Sequence, residues 1–246
     1  MTDQPSPAAV IGAGSGPPAA VGTVLLALGD SIAAGIGASH VSAGCMAVLA
    51  GALRTRVAEL TLVSLAIPGE SSASMLLPSG QLERAEEMIA VVARSAGRVG
   101  PLTICLGGND IMEAALLGDD EALRQFQANL GAILSRLDAA LRATGSSLVE
   151  VGCIQTVYNP FEADVLPGGS NGAEAHSMAP RRAGRGGFNR IIRNAATARG
   201  IRLVEVSGLF RGRCGELTWV RSGDIHPTDD GHALIAEAYL EACAPS

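Results

Sequence analysis

The hydrophobic positions fall into short unbroken runs separated by longer stretches at helical spacing. Residues 24–28 (VLLAL) open the series, and residues 60–67, 102–106, 148–154 and 201–206 repeat it, each rich in leucine or β-branched side chains. Short runs of this kind bounded by turn residues are the pattern of strands buried on both faces. Between them, residues 46–60, 81–94, 121–142 and 188–199 carry apolar side chains three and four apart, and residues 229–243 close the chain in the same way. The alternation predicts right-handed βαβ crossovers, and so a five-stranded parallel sheet with helices on both faces. Ligands of such sheets collect at the carboxyl ends of the strands. Residues 1–22, rich in Pro, Gly, Ala and Ser and without a period, are expected to form a flexible arm, leaving residues 23–246 as one domain.

Composition narrows the chemistry. A hydrophobic share of 48% against 17% charged residues supplies a core, and an aromatic share of 3% means that aliphatic side chains must fill it. All eighteen basic residues are arginine, which removes mechanisms that need a lysine Schiff base or a P-loop lysine. A net charge of −6 without an aromatic-studded basic stripe argues against a nucleic-acid partner. The five cysteines are widely spaced, odd in number and without a CxxC pair, so reduced buried thiols are expected. Residues 5–29 carry no charge, yet prolines and glycines interrupt them and no arginine precedes Arg54. That pattern fits neither a signal peptide nor a membrane span. The chain reads as soluble and cytoplasmic, unless a leader that would export it was removed ahead of residue 1.

Three strand ends deliver small polar clusters: Gly29-Asp30-Ser31 after the first, Pro68-Gly69-Glu70-Ser71 after the second and Gly107-Gly108-Asn109-Asp110 after the third. A fourth, Gly223-Asp224-Ile225-His226-Pro227-Thr228, stands just before the last helix. Each alone is an ordinary turn. Together, in this order, they resemble the four blocks of the SGNH hydrolases, the GDSL esterase and lipase family, over nearly the whole stretch from first strand to last helix. The resemblance implies a flavodoxin-like three-layer α/β/α sandwich and hydrolysis of an ester, thioester or related acyl bond through an acyl-enzyme, with no cofactor; the modest apolar residues after the third and fourth strands fit a short-chain carboxylester.

The residue types agree with that chemistry. Acyl transfer needs a nucleophile, a base and an oxyanion site: Ser31 would attack, His226 would take its proton, and the backbone N–H groups of Ser31 and Gly69 with the Asn109 amide would receive the oxyanion. Asp30 and Asp110 are expected to brace their own turns. The family's carboxylate stands three residues before the histidine, where this chain has Gly223. The expectation is that Asp224, two before, orients His226; a backbone carbonyl near Ser222, or no acidic partner, are the other possibilities. Ile32 replaces the family's leucine, a nearly isosteric swap.

Other readings fit the residues less well. Gly12 to Gly16 lacks the strand and third glycine of a dinucleotide fingerprint. No histidine pair has i, i+4 spacing, and His40, His176 and His232 join no carboxylate cluster, so no metal is expected. Ser71 could be the elbow serine of an α/β-hydrolase, although Pro68 and Ala73 spoil that motif and helix capping explains it. A degenerate fold serving as a binding module is disfavoured by the intact serine, asparagine and histidine. Met112, Tyr158 and Phe161 are expected as modest apolar walls of a substrate pocket. Seven arginines between Arg181 and Arg202 could receive an acidic acyl carrier, or simply form a solvated face.

Overall fold

The computed structural model describes residues 22–117, 119–160 and 187–243. Of the arm expected at residues 1–22, all but Gly22 lies outside the described residues. Five strands, β1 (Thr23–Gly29), β2 (Leu60–Ser64), β3 (Arg98–Cys105), β4 (Gly152–Gln155) and β5 (Arg202–Val204), form one sheet in the order β2-β1-β3-β4-β5. Every pairing is parallel. The longer helices are α1 (Cys45–Arg54), α2 (Gln81–Arg94), α3 (Gly108–Leu117), α4 (Asp119–Arg142), α5 (Phe188–Arg199) and α6 (Asp229–Cys243).

All seven residues of β1 are buried, and its side chains alternate between two cores. Val24, Leu26 and Leu28 point to the face covered by α2, α4 and α5, where they meet Leu82, Ile89, Phe126, Leu130 and Ile192. Leu25 and Ala27 point to the face covered by α1 and α6, with Leu49, Ile235 and Tyr239. That is the three-layer α/β/α arrangement, filled mainly by aliphatic groups. From β1 the chain goes first to one neighbour, β2, and then across to the other, β3, so the crevice between β1 and β3 is the topological switch point of the sheet.

Helices expected at residues 81–94, 188–199 and 229–243 are found as α2, α5 and α6. The run at residues 148–154 differs from expectation: Leu148–Val151 is one helical turn and only Gly152–Gln155 is strand. Asp138 Oδ1 accepts the Leu148 N–H at 2.9 Å, a cap from another helix that overrides β-propensity. The segment that carries Asn109, given no element by the hydrophobic pattern, is helix α3.

At the start of α6, Gly231 packs under a short antiparallel bridge between Thr218 and Pro227. A Cβ there would stand 2.1 Å from the Leu217 carbonyl oxygen, which is backbone and cannot swing aside. Alanine gains at most about 1 kcal/mol of helix propensity. The clash outweighs it, so Gly231→Ala is expected to lose on the order of 1–3 kcal/mol, read as a fall in Tm of roughly 2–10 °C by calorimetry.

Candidate active site

The loop of Ser31 begins where β1 runs out of room. Gly29 has φ +138°, and a Cβ on it would lie 2.1 Å from the Cys105 carbonyl oxygen on β3, so only glycine ends this strand. Its backbone is held twice by one buried amide: Gly29 N–H donates to Gln81 Oε1 at 2.6 Å, and Gln81 Nε2 donates to Gly29 O at 2.8 Å. The same Nε2 donates to Glu70 Oε2 at 3.0 Å. Gln81, the first residue of α2, thereby ties the end of β1 to the loop after β2. No motif in the sequence signals it.

Asp30 is buried, and its Oδ1 accepts the Ile32 N–H at 3.0 Å and the Cys105 thiol at 3.5 Å. It braces the turn, as expected. Ser31 then stands at the switch point, with its Oγ 2.9 Å from His226 Nε2. His226 Nδ1 lies 2.5 Å from Asp224 Oδ1, and the same oxygen accepts the His226 backbone N–H at 3.0 Å. An ionised carboxylate only accepts, so Nδ1 carries a proton and Nε2 presents its lone pair to the serine hydroxyl. The hydrogen bond from the His226 backbone N–H, and then that from its ring, pull the Asp224 carboxyl below the usual range, which keeps it ionised.

Gly223 explains why the carboxylate is one place nearer than the usual block. Its φ is +85°, closing the turn at Val220–Ser222 in the left-handed region. There an aspartate would be strained, whereas Asp224 bends back onto its own second neighbour. The loop is held by Trp219 N–H to His226 O at 3.0 Å and Thr228 N–H to Leu217 O at 2.9 Å. From the serine side, Gly37 (φ +97°) abuts it so closely that a Cβ would meet Pro227 O at 2.3 Å. Trp219 Nε1 donates to Gly37 O at 2.7 Å. His232, fully buried, accepts the Cys45 N–H on Nδ1 at 3.3 Å and so donates from Nε2 to Ile36 O at 3.0 Å; burial depresses its pKa and keeps it neutral. It is a packing residue.

The remaining expected groups arrive from β2 and β3. Gly69 has φ +86° and open space where a side chain would be. Asn109, in the first turn of α3, donates from Nδ2 to the Glu70 carbonyl at 2.8 Å, and the neighbouring Gly108 lies against Asp30 Oδ2. Asp110 accepts the Ser72 N–H at 3.0 Å and the Ser72 hydroxyl, and Asn129 Nδ2 donates to that hydroxyl at 3.1 Å. Ser71, the rival nucleophile, is buried and caps the turn Ser72–Met75. The structure therefore brings Ser31, His226 and Asp224 into one hydrogen-bonded chain and ties the Gly69 loop to both Asn109 and Gly29.

The expected pocket walls fare differently. Met112 is 52% exposed, one turn into α3. Tyr158 is no wall: it is buried, stacked on Phe210 at 4.3 Å, and its hydroxyl donates to Ile225 O at 2.8 Å, which supports the His226 loop from beneath. Phe161 lies outside the described residues. Of the arginine cluster, Arg193 pairs with Glu205 at 2.8 Å, Arg199 donates to Gly131 O at 3.1 Å and Arg202 to Glu150 O, so these three serve the fold. Arg190 is exposed, and Arg181, Arg182 and Arg185 lie outside the described residues. Among the described residues no helix is long and apolar enough to cross a membrane.

Comparison with known proteins follows the same geometry. A model of the GDSL-like Lipase/Acylhydrolase family matches residues 27–234. No curated protein matches. Among solved structures, TesA is similar at 24% identity, covering 89% of this chain and 97% of its own with a TM-score of 0.60. The lipase Lip_vut3 from a goat rumen metagenome is similar at 20% identity, 90% and 97% coverage and a TM-score of 0.62. Axe2, an acetylxylan esterase from Geobacillus stearothermophilus, is similar at 19% identity, 92% and 97% coverage and a TM-score of 0.60. At these identities the structures establish a shared fold.

Burial pushes the Asp30 carboxyl up from 3.8 to about 6. A raised carboxyl pKa means that the folded state holds its proton longer than the unfolded chain, so stability falls as pH rises from about 4 to about 6 and the deficit persists above. Asparagine keeps an acceptor for the Ile32 N–H without the charge. Asp30→Asn is therefore expected to gain on the order of 2–3 kcal/mol over the parent at pH 8 and nothing at pH 4, measured by denaturant titration at both values.

Proposed function

This chain belongs to the GDSL-like lipase/acylhydrolase family, and within it we propose a serine esterase that cleaves short-chain carboxylesters through an acyl-enzyme on Ser31. The observation that carries this reading is the unbroken chain from Ser31 Oγ to His226 Nε2, 2.9 Å, and from His226 Nδ1 to Asp224 Oδ1, 2.5 Å. Ser31 Oγ attacks the carbonyl carbon as its proton passes to Nε2, and the imidazolium so formed faces the Asp224 carboxylate. The oxyanion is received by the backbone N–H groups of Ser31 and Gly69 and by the Asn109 N–H not spent on Glu70 O. Collapse of the tetrahedral species expels the alkoxide, which takes the proton from Nε2. Water then attacks the acyl-serine with His226 as base, and Ser31 is restored.

Short acyl groups are favoured because the walls in view are shallow. Met112 is mostly exposed, and Tyr158 is turned beneath His226 rather than lining a channel. The elbow reading with Ser71 is disfavoured by that hydroxyl's place in a helix cap, and a binding module would have no use for a serine held against a carboxylate-oriented imidazole. The committed arginines give an acidic acyl carrier no support.

Ser31→Ala is expected to abolish ester hydrolysis and labelling by a fluorophosphonate, while Ser71→Ala keeps both; labelling that follows Ser71 would overturn the assignment. In the same assay Asp224→Asn should lower kcat by roughly 10²-fold or more, against less than about tenfold if a backbone carbonyl orients the base. Aryl esters of rising acyl length should be cleaved with falling kcat/KM. A preference for chains of about twelve carbons or more would point instead to a deep groove.

A further inference from the structure

The two halves of a dithiol meet where the end of α6 reaches β4. Three of the five cysteines place their sulfur against an oxygen: Cys45 on Ile32 O at 3.3 Å, Cys105 on Asp30 Oδ1 at 3.5 Å and Cys214 on Asn159 O at 3.1 Å. Cys153 and Cys243 face each other instead, with sulfurs 2.6 Å apart. A disulfide bond is about 2.05 Å long, so an approach of roughly half an ångström would join them. Cys153 is fully buried in β4, and Cys243 is the last residue of α6.

Two further observations mark this pair. Cys153 stands opposite Arg202 in the β4–β5 register, and the Arg202 Nε, buried, has no hydrogen-bond partner. A cavity of about 650 Å³ opens at the amino-terminal ends of the strands, with Thr23, Arg98, Glu150, Arg202 and Cys243 among its walls. One thiol of the pair is thus reached from the cavity while the other is sealed behind it, and a guanidinium with an unused donor lies beside both. The Cys243 thiol is pushed down by the hydrogen bond from Cys153 and then by the charge of Arg202, while that same contact, followed by burial, pushes Cys153 up. The thiolate is the reactive form, which makes Cys243 the attacking sulfur.

We propose that Cys153 and Cys243 are a reversible dithiol–disulfide pair, oxidised by a hydroperoxide that reaches Cys243 through this cavity. The Cys243 thiolate attacks the peroxide: an S–O bond forms, the O–O bond breaks, and the departing oxygen takes a proton to leave as water or alcohol. Cys153 sulfur then attacks the Cys243 sulfenic acid, forming the S–S bond, while the S–O bond breaks and hydroxide leaves with the Cys153 proton as water. The two sulfurs lose two electrons and the peroxide gains them. The bond closes a loop from residue 153 to residue 243 and pins the end of α6 to β4, stabilising the fold by restricting the unfolded chain. The pair lies two strands from β1 and at the end of α6 remote from His226, so the rate of ester cleavage is expected to stay the same.

The full chain, reduced and then treated with hydrogen peroxide, should lose the mass of two hydrogen atoms, fall from five alkylatable thiols to three, and yield on peptide mapping a linked pair of peptides containing Cys153 and Cys243 that dithiothreitol separates. Its Tm should rise by several degrees and return on addition of dithiothreitol, with kcat unchanged. Cys153→Ser should accumulate a sulfenic acid at Cys243 that dimedone traps, and Cys243→Ser should give neither adduct nor linkage. The wild-type mapping decides the matter even if a variant fails to fold. Five thiols still alkylatable after peroxide, linkage between other cysteines, or oxidation of Cys243 that never proceeds to the disulfide would overturn the proposal.

Discussion

A single primary amide sets the distance between the loop of Ser31 and the loop of Gly69. Gln81 is fully buried, and it grips both polar groups of Gly29 while reaching the Glu70 carboxylate. Glu70 in turn receives the Asn109 amide on its carbonyl and the Ser74 hydroxyl on its carboxylate. A buried polar group left without a partner costs about 1–3 kcal/mol, so a network in which every member is satisfied resists small displacements of any one of them. The loop of Ser31, the loop of Gly69 and Asn109 are therefore one mechanical unit, although they follow three different strands.

His226 arrives from the far end of the chain and is fitted to that unit mainly by close packing. Gly37 and Pro227 come nearer than any side chain would allow, with Trp219 bonded across the seam and Tyr158 beneath it. His232 fastens the loop after Ser31 to α6, the helix that His226 itself precedes. In this way one helix governs the approach of histidine to serine from both sides. The cost is a set of glycines that tolerate no side chain.

Much of this was legible in the sequence, and the misses have physical causes. Long periodic segments such as residues 81–94 and 229–243 declared themselves because an amphipathic repeat over many residues has few alternatives. Residues 148–151 misled because a run of Leu and Val carries no mark of Asp138, the distant cap that turns it into a helix. Ser31, Gly69 and Asn109 stood out in small polar clusters at strand ends and His226 in one just before the last helix, whereas Gln81 was hidden as an ordinary helix-starting residue whose partners are 11 and 52 positions away. Tyr158 was misplaced because an aromatic side chain after a strand end looks the same whether it lines a pocket or, as here, props a loop from below.

The carboxylate of Asp224 holds the ring and the backbone N–H of the same residue, two positions along. The orientation of the His226 ring is thus written into three consecutive residues, while the placement of Ser31 is written across the whole sheet. The two ends of the Ser31–His226 hydrogen bond consequently differ in how they fail. Loosening of the sheet displaces Ser31 and leaves a correctly oriented imidazole without its partner, so the alignment of the site is only as durable as the long-range side of it.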